Sequence, residues 1–201
     1  MATFAVELDG YTDLPPGKLA NVVTFLEMRE PPPAPPAISP DVVLKPRPDP
    51  GWYRTLYQRI GEPWLWFSRA AMSDAELMAG LWQSTTEVLA LQSDGVSIGL
   101  AELDYAVPGS VEIATFGVVP EAVGTGAAHT LMTALLARVF GRGAARVWLH
   151  TCTFDHPKAL AFYRRAGFQP YKFAIEVSDD PRATGKLPAT AAPQIPLLLG
   201  K

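Results

Sequence analysis

Residues 111–140 read VEIATFGVVP EAVGTGAAHT LMTALLARVF, and this stretch decides the fold. Its first part is a short apolar run with β-branched residues and Phe116, closed by Pro120, which cannot continue a strand ladder. Its last part sets Ala128, Leu131, Met132, Leu135, Leu136 and Val139 at helical spacing, so one stripe of that helix faces a core. Between them, Gly124 and Gly126 remove Cβ atoms from a turn whose N–H groups lie at the positive end of the helix. Strand, glycine turn and helix together predict a seat for a phosphorylated cofactor.

On the N-terminal side, Thr86–Leu91 and Val96–Tyr105 alternate about Ser93-Asp94-Gly95, which predicts a β-hairpin. Ser73-Asp-Ala-Glu76 is a capping box that opens a helix over Ala75–Trp82. Trp52–Ile60 reads as a short helix, Glu62–Phe67 (EPWLWF) as an aromatic loop, and Asp41–Lys45 as the strand that opens the main domain. On the C-terminal side follow a strand at Ala145–Thr151 and a helix over Pro157–Ala166, with proline at its first position and Gly167 as its stop. A further strand spans Phe168–Val177. The order is strand, helix, helix, three strands, helix, strand, helix, strand, which an α/β mixed sheet covered by helices accounts for.

The ends are read separately. Residues 1–40 form an N-terminal extension with two apolar segments, Thr3–Leu8 and Asn21–Met28, of which Val22-Val-Thr-Phe25 favours a strand by residue type. Pro31–Pro36 (PPPAPP) is a stiff polyproline II linker. Residues 41–178 make the main domain, and residues 179–201 a tail that wanders or adds an edge strand.

With 201 residues and 48% apolar content, the chain is long enough for one ordinary core. A net charge of −3 gives no overall affinity for nucleic acid. Arg138, Arg142, Arg146, Arg164 and Arg165 read as solvated helix faces rather than a binding patch. A single cysteine, Cys152, excludes an internal disulfide framework and a multi-cysteine zinc site. His150, Cys152 and His156 do not match a metal-ligand spacing, so no metal is expected. No basic-then-apolar leader opens the chain, and no apolar run approaches the ~20 residues of a membrane span. These features predict a cytoplasmic protein without membrane contact, and the Ala-, Pro- and Arg-rich composition has a bacterial character.

Two rival readings of the glycine turn fail. A dinucleotide fingerprint needs a third glycine where His129 stands, and a P-loop needs a lysine that is missing. The run Val118-Val-Pro120 followed by Val123-Gly-Thr-Gly-Ala-Ala128 instead resembles the acyl-CoA loop, R/Q-x-x-G-x-G/A, of the GNAT superfamily of N-acetyltransferases. Val123 departs from it, standing where Arg or Gln is usual. A second stretch, His156-Pro-Lys-Ala159-Leu-Ala-Phe-Tyr163-Arg-Arg-Ala-Gly167-Phe168, is similar to the family's N-x-x-A-x-x-L-Y-x-x-x-G-F helix, with His156 in place of Asn. The two matches cover Val111 to Phe168 and leave residues 1–40 and the tail outside.

The resemblance implies the GNAT fold, with about six to seven strands, and an acetyl-CoA-dependent N-acetyltransferase in which an amine attacks the thioester directly. The acceptor would be a small amine or a peptide. A non-catalytic acyl-CoA-binding sensor is the alternative, and a homodimer is compatible with either. The resemblance assigns the cofactor groove to Phe116, Gly117, Val118, Val119, Val123, Gly124, Thr125, Gly126, Ala127 and Ala128, with His156 beside it. Val118 would offer backbone groups to the pantetheine arm, and Gly117 would allow a bulge that splays the sheet. Tyr163 takes the place of the family's acid for the departing sulfur, and Glu112 that of its general base, with Glu102 and Asp104 as substitutes. The aromatic residues between Trp52 and Trp82 would shape the acceptor pocket.

Overall fold

The computed structural model describes residues 6–7, 9–32 and 39–200. The expected first apolar segment at 3–8 and the polyproline linker at 31–36 lie, except for residues 6, 7, 31 and 32, outside the described residues.

The chain forms β1 (Lys18–Met28), β2 (Val42–Leu44), α1 (Pro50–Gly61), α2 (Asp74–Leu81), β3 (Thr86–Ser93), β4 (Val96–Val107), β5 (Ser110–Val118), α3 (Ala127–Gly141), β6 (Arg146–Cys152), α4 (Ala159–Ala166) and β7 (Gln169–Asp179). The local signals act as the sequence predicts. Ser73 and Glu76 exchange both bonds of a capping box. Asp94 and Gly95 both take positive φ between β3 and β4, as a tight hairpin turn needs. Gly167 ends α4 at φ 109°. The helix of α4 begins at Ala159 rather than at Pro157, because the His156 carbonyl already accepts from the Ala159 N–H in the preceding turn.

Seven strands form one mixed sheet in the order β2-β3-β4-β5-β6-β1-β7. All neighbours are antiparallel except β5 and β6. β1 lies between β6 and β7, so residues 18–28 of the N-terminal segment are an interior strand of the main sheet. Helices α3 and α4 cover one face, where Leu131, Leu135 and Val139 meet Leu103, Val111, Val147, Leu149 and Phe168. Helices α1 and α2 cover the other, where Tyr53, Leu56 and Leu77 meet Val88 and Leu100. Arg138 and Arg142 share Glu87, and Arg146 pairs with Glu27, so these three arginines are engaged in ion pairs rather than free to form a patch.

After β7 the described residues make no further strand. Asp180 and Arg182 form an ion pair whose side chains are each only 2% exposed. The Arg182 guanidinium also donates to the carbonyls of Ala191, Ala192, Ile195 and Pro196. This knot presses Leu187, Ala191 and Ala192 onto Leu65, with Leu19, Phe67 and Phe154 alongside. The expected alternative of an added edge strand gives way because the tail's prolines lack ladder donors and one guanidinium gathers its carbonyls.

Candidate active site

The site begins where two strands part. β5 and β6 pair only at Ser110–Arg146, Val111–Val147 and Glu112–Trp148. Beyond that point residues 113–118 and 149–152 diverge and open a cavity of about 580 Å³ through the sheet. A bulge in β5 shapes this opening. The register to β4 slips between Thr115–Glu102 and Ile113–Leu103, which leaves Ala114 as the extra residue. The bulge therefore sits at Ala114, not at Gly117. Gly117 matters for another reason. A Cβ there would lie 2.5 Å from Ile60 Cγ2 and 3.3 Å from Trp66, so its bareness lets α1 and the aromatic loop close on the strand. The Val119 N–H donates to Ile98 across in β4, so the peptide groups of Val118, one residue back, point away from β4 into the gap.

At one mouth lies the glycine turn. Gly124 and Gly126 take φ +84° and +96°, and nothing stands within 4 Å of where their Cβ atoms would be. Gly126 caps the 15-residue α3 without a side-chain bond, and no acidic residue occupies the first turn. The leading N–H groups of a long helix thus face an open, uncrowded space, which suits a pyrophosphate. Thr125 turns its hydroxyl back onto the Ala122 carbonyl at 2.8 Å and braces the turn instead of facing the cavity. Phe116, Gly117, Val118, Val123, Gly124, Gly126, Ala128 and His156 line the cavity, whereas Val119 and Ala127 pack beneath it. No cation replaces the side chain missing at Val123 within the turn. Lys158 and Arg165, from the start and far end of α4, line the same cavity and supply positive charge there.

Tyr163 lines the cavity from the α3–α4 face. Its ring packs edge-on against Phe116, Phe162 and Phe168, at 6.1, 5.5 and 6.2 Å. Burial, helped by the charge of Asp155, holds its hydroxyl well above the ordinary phenol range. The phenol keeps its proton at any physiological pH, as an acid for a leaving sulfur must.

On the opposite face the wall is aromatic: Tyr57, Trp64, Trp66, Phe67 and Phe154. Trp52 and Trp82 do not join it; they lie beneath Lys45 and Arg47. A smaller, polar cavity of about 440 Å³ adjoins through Tyr57, Ser68, Ala114 and Thr115, and it holds Glu102, Asp104 and Glu112. Glu102 is committed: it accepts from Tyr53 Oη at 2.6 Å and from Nε and Nη2 of Arg69. Asp104 Oδ1 accepts from the Ala106 N–H at 2.7 Å. Glu112 is the freer carboxylate, and desolvation raises its pKa above the usual carboxylate value, partly offset by His150. His150 Nδ1 lies 3.9 Å from Glu112 Oε1. His150 itself lines the main cavity, so it stands between Glu112 and the gap.

The structure thus brings Tyr163 and the glycine turn to one chamber and sets Glu112 in the next. Asp155 carried no recognisable signal in the sequence, and His150 stood out there only as a rejected metal ligand. Asp155 accepts from Trp66 Nε1 at 3.0 Å, from Thr151 Oγ1 at 2.7 Å and from the Cys152 N–H at 2.9 Å, tying the aromatic loop to the end of β6. His156 Nδ1 accepts from the Lys158 N–H at 3.1 Å, as a helix-start residue does, and its ring meets Trp64. Burial and the charges of Asp155 and Glu176 push the Cys152 thiol up to about 11, the opposite of what a nucleophilic thiolate requires. Among the described residues no group of three or more His, Cys, Asp or Glu side chains is placed to hold a metal ion.

A mixed sheet parted at its parallel pair, with backbone donors at one mouth and an aromatic chamber at the other, defines an α/β fold suited to gripping a long phosphorylated ligand between two strands. The family model described as acetyltransferase (GNAT) matches residues 53–168, and the chain belongs to that family. Proteins named uncharacterized N-acetyltransferases from Mycobacterium bovis and Mycobacterium tuberculosis are 33% identical over 103 residues. That stretch is 51% of this chain and 65% of the relatives' length. Among solved structures, a GCN5-related N-acetyltransferase from Sphaerobacter thermophilus superposes with a TM-score of 0.60 at 17% identity, over 80% of this chain and 52% of that one. The ribosomal-protein-S18-alanine N-acetyltransferase from Escherichia coli gives 0.54 at 17% identity, over 69% and 94%. At such identities the likeness is one of fold.

Proposed function

We propose that this protein transfers the acetyl group of acetyl-CoA to an amine by direct attack. The observation that carries this reading is the gap that pierces the sheet between β5 and β6, with anion-binding N–H groups on one side and an aromatic chamber on the other. The cosubstrate fits the residues present: the leading N–H groups of α3 stand over empty space at Gly124 and Gly126, and Val118 offers its peptide groups along the gap. When bound, acetyl-CoA supplies an activated acyl carbon and a thiolate leaving group.

The chain's own residues divide the rest. Lys158 and Arg165 add the positive charge that Val123 does not bring to the turn. Tyr163 gives its proton to the sulfur from the α3–α4 side. His150 receives the amine's proton from the other side, with Glu112 behind it to steady the imidazolium. Acid and base work from opposite faces, so neither has to change sides during transfer. This reading carries with it a cytoplasmic setting, where the thioester is found, and a small amine or peptide as acceptor.

The test follows free thiol release from acetyl-CoA with a panel of amines. Release above background with at least one amine is expected. Tight CoA binding with no release for any amine would favour a sensor and sink the catalytic reading.

A further inference from the structure

The far end of the acceptor chamber holds a polar pair that the chemistry above does not use. Asn21 of β1 lines the cavity and is only 6% exposed, yet its Oδ1 has no hydrogen-bond partner. Its amide orientation is fixed, because Nδ2 donates to Glu176 Oε2 at 3.0 Å and a carboxylate can only accept. An unpaired acceptor is thus left in a place where nearly every buried carbonyl has a donor. Glu176 also lines the cavity, and Asn21 is its one hydrogen-bond partner among the described residues. Its charge reaches far enough inward to help raise the Cys152 thiol.

The charges lining the chamber are sorted. Lys158 and Arg165 come from the two ends of α4, while Asp155 is bonded to Trp66 of the aromatic wall and Glu176 to Asn21 of β1. Asp155 is already engaged by Trp66, Thr151 and the Cys152 N–H, so Glu176 is the carboxylate with accepting capacity left over. Trp64, Trp66, Phe67 and Phe154 line the stretch between this end and the gap. Phe25 stands opposite His150, and Asn21 is four residues further along β1, about 13 Å along the strand from that pair.

We infer that the acceptor is a diamine, whose second, charged nitrogen seats on Asn21 Oδ1 and the Glu176 carboxylate while an apolar spine lies along the aromatic wall. An ammonium has three donors and a positive charge, so it satisfies both acceptors at once, which a hydroxyl or a neutral amide does less well. This inference rests on the acetyl-transfer reading for the first nitrogen, but the seat for the second is independent of turnover.

The test compares octylamine with the terminal diamine of octane, which share a spine and differ in the distal charge. Binding to the CoA-loaded protein is measured by calorimetry, and KM from thiol release. The diamine is expected to bind about tenfold more tightly or better. Glu176→Gln and Asn21→Leu should each bring that ratio toward one while CoA affinity stays unchanged. Because Asn21 is buried and its substitution risks misfolding, the exposed Glu176 provides the second variant. Equal affinity for the two amines in the wild-type protein would overturn the inference, as would a diamine preference that survives Glu176→Gln. Diamine binding through these residues with no thiol release from it or from any other amine would sink the acetyl-transfer reading and leave the cation seat standing.

Discussion

Tyr163 and Gly117 show how much a single position decides here. Tyr163 is packed by aromatic rings on its α4 side and opens only toward the cavity, so Tyr163→Phe removes a proton donor without removing packing. Thiol release should fall about 10²-fold with CoA affinity unchanged, as loss of a general acid predicts. Unchanged turnover would take the acid role from this residue. Gly117 is constrained by space: the 2.5 Å approach to Ile60 means Gly117→Ala must push α1 off the strand. A loss of about 1–3 kcal/mol in urea melts is expected from overpacking, together with a weaker grip on acceptor amines. The resemblance marked both residues. It gave Gly117 the wrong reason, because the atoms that crowd it come from residues some fifty positions earlier.

At the scale of elements, β5 makes the site by failing to stay regular. The bulge at Ala114 keeps Glu112 and Thr115 on the α1–α2 face, both facing the polar cavity, while Phe116 turns to Tyr163. That position strips water from Glu112, which raises its pKa from 4.5. Two consequences follow from the sign. Transfer should decline where Glu112 gains its proton, because the His150 imidazolium then loses its counter-charge, and Glu112→Gln should lower kcat/KM at neutral pH. A carboxyl with a raised folded-state pKa favours the fold below about 4.5 and loses that contribution as pH rises through the folded value. Glu112→Gln should therefore melt slightly higher than wild type at pH 7 and alike near pH 4, gaining stability while losing activity. A bulge leaves no trace in residue type, since Ala114 is an ordinary strand residue in an apolar run. The sequence placed Glu112 on the right strand and could not tell which chamber it would face.

At the scale of the molecule, segments near the two chain ends complete the aromatic chamber. β1 fills the place between β6 and β7, and the tail after β7 is gathered by Arg182 against the aromatic loop. Hydrogen bonding to Arg182 holds the Asp180 carboxyl below its usual 3.8, so the pair stabilises the fold above that pH and loses its effect as pH falls through the lowered value. Arg182→Gln leaves a buried carboxylate uncompensated and should cost about 3 kcal/mol at pH 7. The deficit should shrink as pH falls through the lowered value and Asp180 gains its proton; urea melts at pH 7 and across the acid range measure it. Several elements were legible beforehand because their causes are local: the capping box at Ser73, the hairpin at Asp94-Gly95, the stop at Gly167, and the strand–turn–helix of residues 111–140 with its glycines. Each is fixed by hydrogen bonds and steric allowances within a few residues, and so is written in the order of the letters. The parting of β5 from β6, the meeting of Glu112 with His150, and the pairing of Asn21 with Glu176 join residues dozens to more than a hundred positions apart. Their distances depend on strand register and on which strand lies beside which, and burial then decides which of their polar atoms keep a partner. The sequence alone determined the strand–glycine turn–helix, whose causes are local; only the tertiary structure determined the chamber that faces it, because that chamber is built from segments near both ends of the chain.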